Sequence, residues 1–195
     1  MRLDFTLNTL FILILISIPM SVIGQAVTII GSGYDARSCF MAANNAARVE
    51  LGFVSKEDLE TCTRAIEHGR LRRGDLAGTY VNRGIVETAL GRYQDAFDDY
   101  RHAMELRPEL PEPFVGRGNI YFLAGKFDNA IEDYTRALEL NISRDYIAHF
   151  NRGMALEKTG QLDDAEANYR RALELQPEWQ LAQDKLERLL AKQQE

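Results

Sequence analysis

Apolar residues are distributed along this chain in three different ways. Leu10 to Ile18 form a block interrupted only by Ser17 and closed by Pro19. A β-branched run follows, Val27-Thr28-Ile29-Ile30. Beyond it the spacing changes: Leu59, Cys62, Ala65 and Ile66 recur at three- and four-residue intervals, the period of a helix with one buried face. Before them, Ala42, Ala43, Ala46, Ala47, Val49 and Leu51 favour helix. Ser55-Lys56-Glu57-Asp58 has the form of a capping box, with the Ser oxygen meeting the Asp58 amide and the acid reaching back. The pattern predicts a helical hairpin over 37–69. At the other end, Trp179, Leu181, Ala182, Leu186, Leu189 and Leu190 mark the inner side of a helix over 178–193.

Between these ends the sequence repeats itself. Arg-Gly recurs as Arg83-Gly84, Arg117-Gly118 and Arg152-Gly153, in steps of 34 and 35 residues. Ala96, Ala130 and Ala165 keep that spacing. So do Tyr100, Tyr134 and Tyr169, and then Ala103, Ala137 and Ala172. Gly91, Gly125 and Gly160 stand where a first helix would end, in the left-handed conformation glycine tolerates. Pro108 and Pro177 close the first and third units; Ile142 takes the place of proline in the second, which carries one extra residue.

This arrangement resembles the tetratricopeptide repeat (TPR) family, whose unit is a helix-turn-helix of 34 residues. The resemblance covers residues 77–177 and implies an all-α solenoid of stacked hairpins, with units at 77–110, 111–144 and 145–178. The 178–193 helix would cap one end, and the 37–69 hairpin, whose Cys62-x-x-Ala65 echoes Tyr100-x-x-Ala103, would be a degenerate repeat at the other. The chain departs from the family where Arg precedes each small residue in place of the usual Leu, and where His149 replaces the aromatic seen as Tyr80 and Phe114.

Composition and chemistry change the picture in a few places. Residues 1–24 read as a secretory signal peptide with a weak charged end, so export to a periplasm or the outside is expected. The apolar block is short for a span of about 20 residues, and membrane attachment is expected only if residues 5–23 are retained as an anchor. Gly31-x-Gly33-x-x-Ala36 after the β-branched run imitates a dinucleotide fingerprint, but a second strand is missing after it. The expectation is an extended segment over 25–36 and no cofactor. Net charge is −6, which argues against nucleic acid as a partner; the Arg-rich stretch 69–75 reads as a solvated linker. Cys39 and Cys62 fall on the two helices of the N-terminal hairpin, and in an exported protein they are expected to form a disulfide, with two buried thiols as the alternative. His68, His102 and His149 lie on separate helices without metal-ligand spacing, so no metal site is expected. Asp95, Asp98, Asp99, Asp163 and Asp164 are read as solvated faces.

No catalytic constellation emerges, and the expected role is protein–protein interaction or scaffolding, with a peptide segment or partner protein in the groove. By the resemblance, that groove is lined by first helices: Val81, Asn82, Ile85 and Thr88; Glu112, Val115, Asn119, Phe122 and Leu123; Ile147, Phe150, Asn151, Met154, Glu157 and Lys158. The central candidates are Val81, Asn82, Ile85, Val115, Asn119, Phe122, Phe150, Asn151 and Met154. A carboxylate clamp of the kind found in chaperone-binding members needs Lys and Arg where Val81, Ile85 and Phe150 stand, which disfavours a C-terminal carboxylate ligand. The alternative role is a structural homo-oligomer that self-associates without a dedicated ligand.

Overall fold

The computed structural model describes residues 33–47 and 54–194; the signal-peptide reading and the β-branched run lie outside them, as does Gly31 of the glycine fingerprint, whose Gly33 and Ala36 are described. Among the described residues there are nine helices and no strand. They are α1 (Tyr34–Ala46), α2 (Lys56–His68), α3 (Arg73–Ala89), α4 (Tyr93–Leu106), α5 (Glu112–Leu123), α6 (Phe127–Glu139), α7 (Asp145–Thr159), α8 (Leu162–Leu175) and α9 (Gln180–Gln193). None is long and apolar enough to cross a membrane.

Two boundaries differ from the sequence reading. The helix expected from residue 37 begins at Tyr34, with Gly33 as an extended N-cap, so the end of the segment read as extended is helical. The Arg-rich linker is shorter than 69–75, because Arg73, Gly74 and Asp75 form the first turn of α3. There the acid at Asp75 sits at the positive end of the helix dipole.

Local signals account for the other ends. At Ser55 the capping box forms in full: the Asp58 amide donates to the Ser55 hydroxyl at 3.2 Å, and the Ser55 amide donates to the Asp58 carboxylate at 2.8 Å. Gly91, Gly125 and Gly160 have φ of +73°, +71° and +82° and turn each first helix into its second. In the longer second unit, Asn141 takes φ +57°, which Asn tolerates better than most residues. This brings Ile142 into the core.

Each first helix packs on its own second helix: α3 on α4, α5 on α6, α7 on α8. The contact is close because of one pairing repeated three times. A Cβ placed on Gly84, Gly118 or Gly153 would come within 2.8 Å of the ring of Tyr100, Tyr134 or Tyr169 respectively. The Tyr rings are fully or almost fully buried and press directly on the helix backbone where a side chain is missing. Successive first helices also touch, α1 on α3, α3 on α5 and α5 on α7. α1 and α2 also pack on each other and both touch α3. The Cys39–Cys62 disulfide joins them, with Cα atoms 4.7 Å apart. At the far end α9 packs on α8 and covers its apolar face with Ala182 and Leu189.

Candidate partner-binding groove

The groove face is built from α3, α5 and α7, which hold all nine central candidates. Eight of these are buried: Val81, Asn82, Ile85, Val115, Asn119, Phe150, Asn151 and Met154. Their side chains pack inside the array, and the causes are local. Val81 and Ile85 lie in the core shared with Cys39, Ala42 and Ala43 of α1. Val115 packs with Tyr134 and Ala148. Phe150 lies under Trp179, ring centroids 4.6 Å apart, and against Tyr169 at 5.6 Å.

The asparagines serve the interior as well. Asn119 Oδ1 accepts from the Tyr134 hydroxyl at 2.8 Å and from Asn151 Nδ2 at 3.1 Å, tying α5, α6 and α7 together. Buried amides need such partners, since each unpaired group costs about 1–3 kcal/mol. The Asn119 oxygen and the Asn151 amide nitrogen are therefore committed to the interior, whereas Asn151 Oδ1 is buried without a hydrogen-bond partner.

Phe122 is the one central candidate that keeps accessible surface. It packs edge-on against Phe127 at 5.3 Å and borders two of the core clusters. Of the flanking groove positions, Thr88, Glu112, Leu123, Ile147 and Glu157 are partly exposed and Lys158 is exposed. Glu157 is already occupied. It accepts from the Tyr169 hydroxyl at 2.9 Å and pairs with Lys185 and Lys192 of α9 at 3.5 and 3.7 Å. Burial raises its pKa, but the Tyr169 bond and the two ammonium groups outweigh that, so the net shift is downward. The apolar side chains that stay partly accessible at the end of α5 are Phe122 and Leu123.

Sequence reading missed a second repeated feature. Arg83 forms a bidentate ion pair with Asp99, at 2.7 and 2.8 Å, and Arg117 does the same with Asp133. Asp99 is thus buried rather than on a solvated face. The signal was present in the sequence: each Arg of the Arg-Gly pairs is followed sixteen residues later by Asp99, Asp133 or Asn168. Arg83 and Arg152 extend further, to the hydroxyls of Thr63 and Thr135 on the preceding second helices, at 3.3 and 3.2 Å. In the first and third units, Arg in place of Leu therefore bonds the unit both to its own second helix and to its neighbour.

Two of the three histidines make contacts between helices. His102 stacks on Tyr80 at 5.2 Å, His149 shares Asn168 Oδ1 at 3.3 Å with its pKa lowered by burial, and His68 is exposed.

Comparison with known proteins gives a consistent picture. Two tetratricopeptide repeat profiles match, over residues 75–140 and 115–178, together more than half of the chain. The chain belongs to the tetratricopeptide repeat family. No curated protein sequence matches it. Among solved structures, the first TPR domain of Spaghetti (RPAP3), bound to the HSP90 peptide SRMEEVD, is 28% identical with a TM-score of 0.58. That match covers 61% of this chain and 94% of the other. The first TPR domain of human RPAP3 is 29% identical, TM-score 0.57, over 60% of this chain and 92% of that one. MamA from Desulfovibrio magneticus RS-1, solved from residue 41 to its end, shares the fold over a longer stretch, with TM-score 0.65 and 18% identity, covering 83% of this TPR chain and 87% of that solved chain.

Proposed function

We propose that this chain is a non-catalytic interaction module that holds a peptide segment or a partner protein against the face of α3, α5 and α7. The observation that carries this reading is the accessible surface kept by Phe122, with Leu123 beside it, in the middle repeat, where the other central candidates are buried. An aromatic at the centre of a small apolar strip is the usual form of a binding anchor. The peptide-bound RPAP3 domain, at 28% identity, supports a peptide as ligand. The chemistry of recognition differs from a carboxylate clamp: Val81, Ile85 and Phe150 are apolar and buried where that device needs exposed cations. The ligand we infer carries an apolar side chain for the Phe122 strip.

We further propose that the protein is exported. The Cys39–Cys62 disulfide supports this, because such bonds persist in oxidising compartments.

The test is affinity capture from the native source with the wild-type chain and with Phe122→Ala plus Leu123→Ala, both shown by thermal melting to be folded. Loss of a specific partner from the variant supports the reading. Retention of every partner overturns it.

Self-association is a second reading, favoured by Tyr34 and Met41, which are 85% and 51% exposed one heptad apart on α1. Sedimentation at several concentrations separates the two: a strict monomer excludes self-association.

A further inference from the structure

The three contacts between a first helix and the preceding second helix are not equivalent. Where α5 meets α4, Tyr121 fills the space and packs edge-on against Phe97 at 5.4 Å, with the Arg117 guanidinium 5.7 Å from its ring. Where α7 meets α6, Leu156 fills it, in a core bordered by Ile131. The position that corresponds in α3, three residues after the Arg-Gly glycine, is Glu87. Opposite it on α2 stands Leu59, in the place of Phe97 and Ile131. The result is a cleft of about 320 Å³ between α2, α3 and α4, with Glu87, Thr63, Arg83, Asp99 and His102 among its walls.

Glu87 is 5% exposed, and its Oε2 is buried without a hydrogen-bond partner. The other charges of the cleft are paired. Arg83 is held by Asp99, Arg92 by Asp95 at 2.7 Å, and Asp98 meets Arg101 at 3.3 Å. The Glu87 carboxyl has another acid, Asp99, as its side-chain hydrogen-bond neighbour, and a buried carboxyl without a cationic partner is costly to keep charged. Its pKa is accordingly pushed up, by burial first and then by Asp99, with Asp95 adding to this against Arg83 and Arg92. Among the described residues no group of three His, Cys, Asp or Glu side chains could hold a metal ion. A hydrogen-bonding cation that entered the cleft would meet the unpaired Oε2 of Glu87.

We propose that this cleft binds the guanidinium or ammonium head of a basic side chain on a partner peptide, with Glu87 as its counter-ion and Thr63 at its rim. The head enters the space that Tyr121 and Leu156 fill in the other units. Its N–H groups donate to the Glu87 carboxylate, and the pair replaces a proton on Glu87. The site lies at the junction of the degenerate repeat with the first full one, apart from the Phe122 strip, and stands or falls independently of it.

The test uses acetyl-Gly-Arg-Gly-amide as the probe, with acetyl-Gly-Gln-Gly-amide as the neutral control, titrated into the full chain at millimolar concentrations and followed by backbone amide shifts. The arginine peptide is expected to move the amides of Thr63, Glu87 and His102, and the glutamine peptide is not. In Glu87→Gln, which keeps the shape and removes the charge, the affinity falls at least about tenfold, since charge-assisted bonds are the strong ones. Glu87→Leu reproduces the residue of the third unit; it stays folded and abolishes the shifts. Equal shifts with both peptides, equal affinity in Glu87→Gln, or no shift in the wild type at saturating probe each overturn the proposal.

Discussion

Arg152 donates its Nε to Asn168 Oδ1 at 2.9 Å, at the place where Arg83 and Arg117 meet the carboxylates of Asp99 and Asp133. One repeat thus holds the same geometry with a neutral acceptor. Burial lowers the Arg152 pKa, whereas Arg117, bonded to Asp133, is raised. The pair is a positioning device whose geometry survives loss of its negative charge, and this sets up a graded experiment.

Asp133→Asn copies the third unit and is expected to cost about 1–2 kcal/mol, the worth of a charge-assisted over a neutral bond. Asp133→Leu strands the half-buried Arg117 guanidinium and is expected to cost about 3–5 kcal/mol. Denaturant unfolding of both variants checks the order. Equal losses would show that the charge, and not the hydrogen bond, holds α5 to α6.

Gly118 sits inside α5, where replacement of Gly by Ala ordinarily gains about 1 kcal/mol. Here the new Cβ would lie 2.8 Å from the Tyr134 ring, and overpacking of this kind costs about 1–3 kcal/mol. Gly118→Ala is therefore expected to destabilise. Recovery in Gly118→Ala with Tyr134→Phe is not expected, because the ring edge and not the hydroxyl makes the contact.

The array was legible in the sequence because its causes are local and repeated: Gly84, Gly118 and Gly153 face a Tyr at fixed spacing, and a glycine with positive φ ends each first helix. The groove was less so. Val81, Ile85 and Phe150 were placed on the right helices but read as accessible, since their exposure depends on α1 and Trp179, elements outside the aligned units. Glu87 carries no signal of its own in the sequence; only comparison with Tyr121 and Leu156 shows it as a gap.

The disulfide spans 23 residues, a loop worth about 3 kcal/mol in the chain-entropy model. Contacts in such an array are between neighbours. Cys39→Ala with Cys62→Ala is therefore expected to speed hydrogen exchange in α1 and α2 strongly, and to leave α6 to α8 near their wild-type protection. Uniform loss of protection along the chain would show instead that the hairpin is needed for the whole fold.

The Glu87 carboxyl has an ordinary pKa of 4.5 and is pushed up to about 8 in the folded protein, by burial and then Asp99, with Asp95 adding and Arg83 and Arg92 opposing. Between these values the folded state binds more protons than the unfolded one, so stability falls as pH rises. Glu87→Gln removes this dependence. Its advantage over the wild type is expected to be small near pH 5, to widen toward pH 8 and then to level off. A constant difference across that range would contradict a buried carboxyl that titrates late.

The central claim is that an apolar strip on α5, centred on Phe122, recognises an extended partner segment. Selection of random displayed peptides on the immobilised chain, followed by binding of the enriched peptides to Phe122→Ala, tests it most directly. The account predicts enriched sequences that share one large apolar residue and lose at least about tenfold in affinity for the variant, the scale of one buried anchor. Enriched peptides that bind Phe122→Ala as tightly as the wild type, or no enrichment at all, would contradict it.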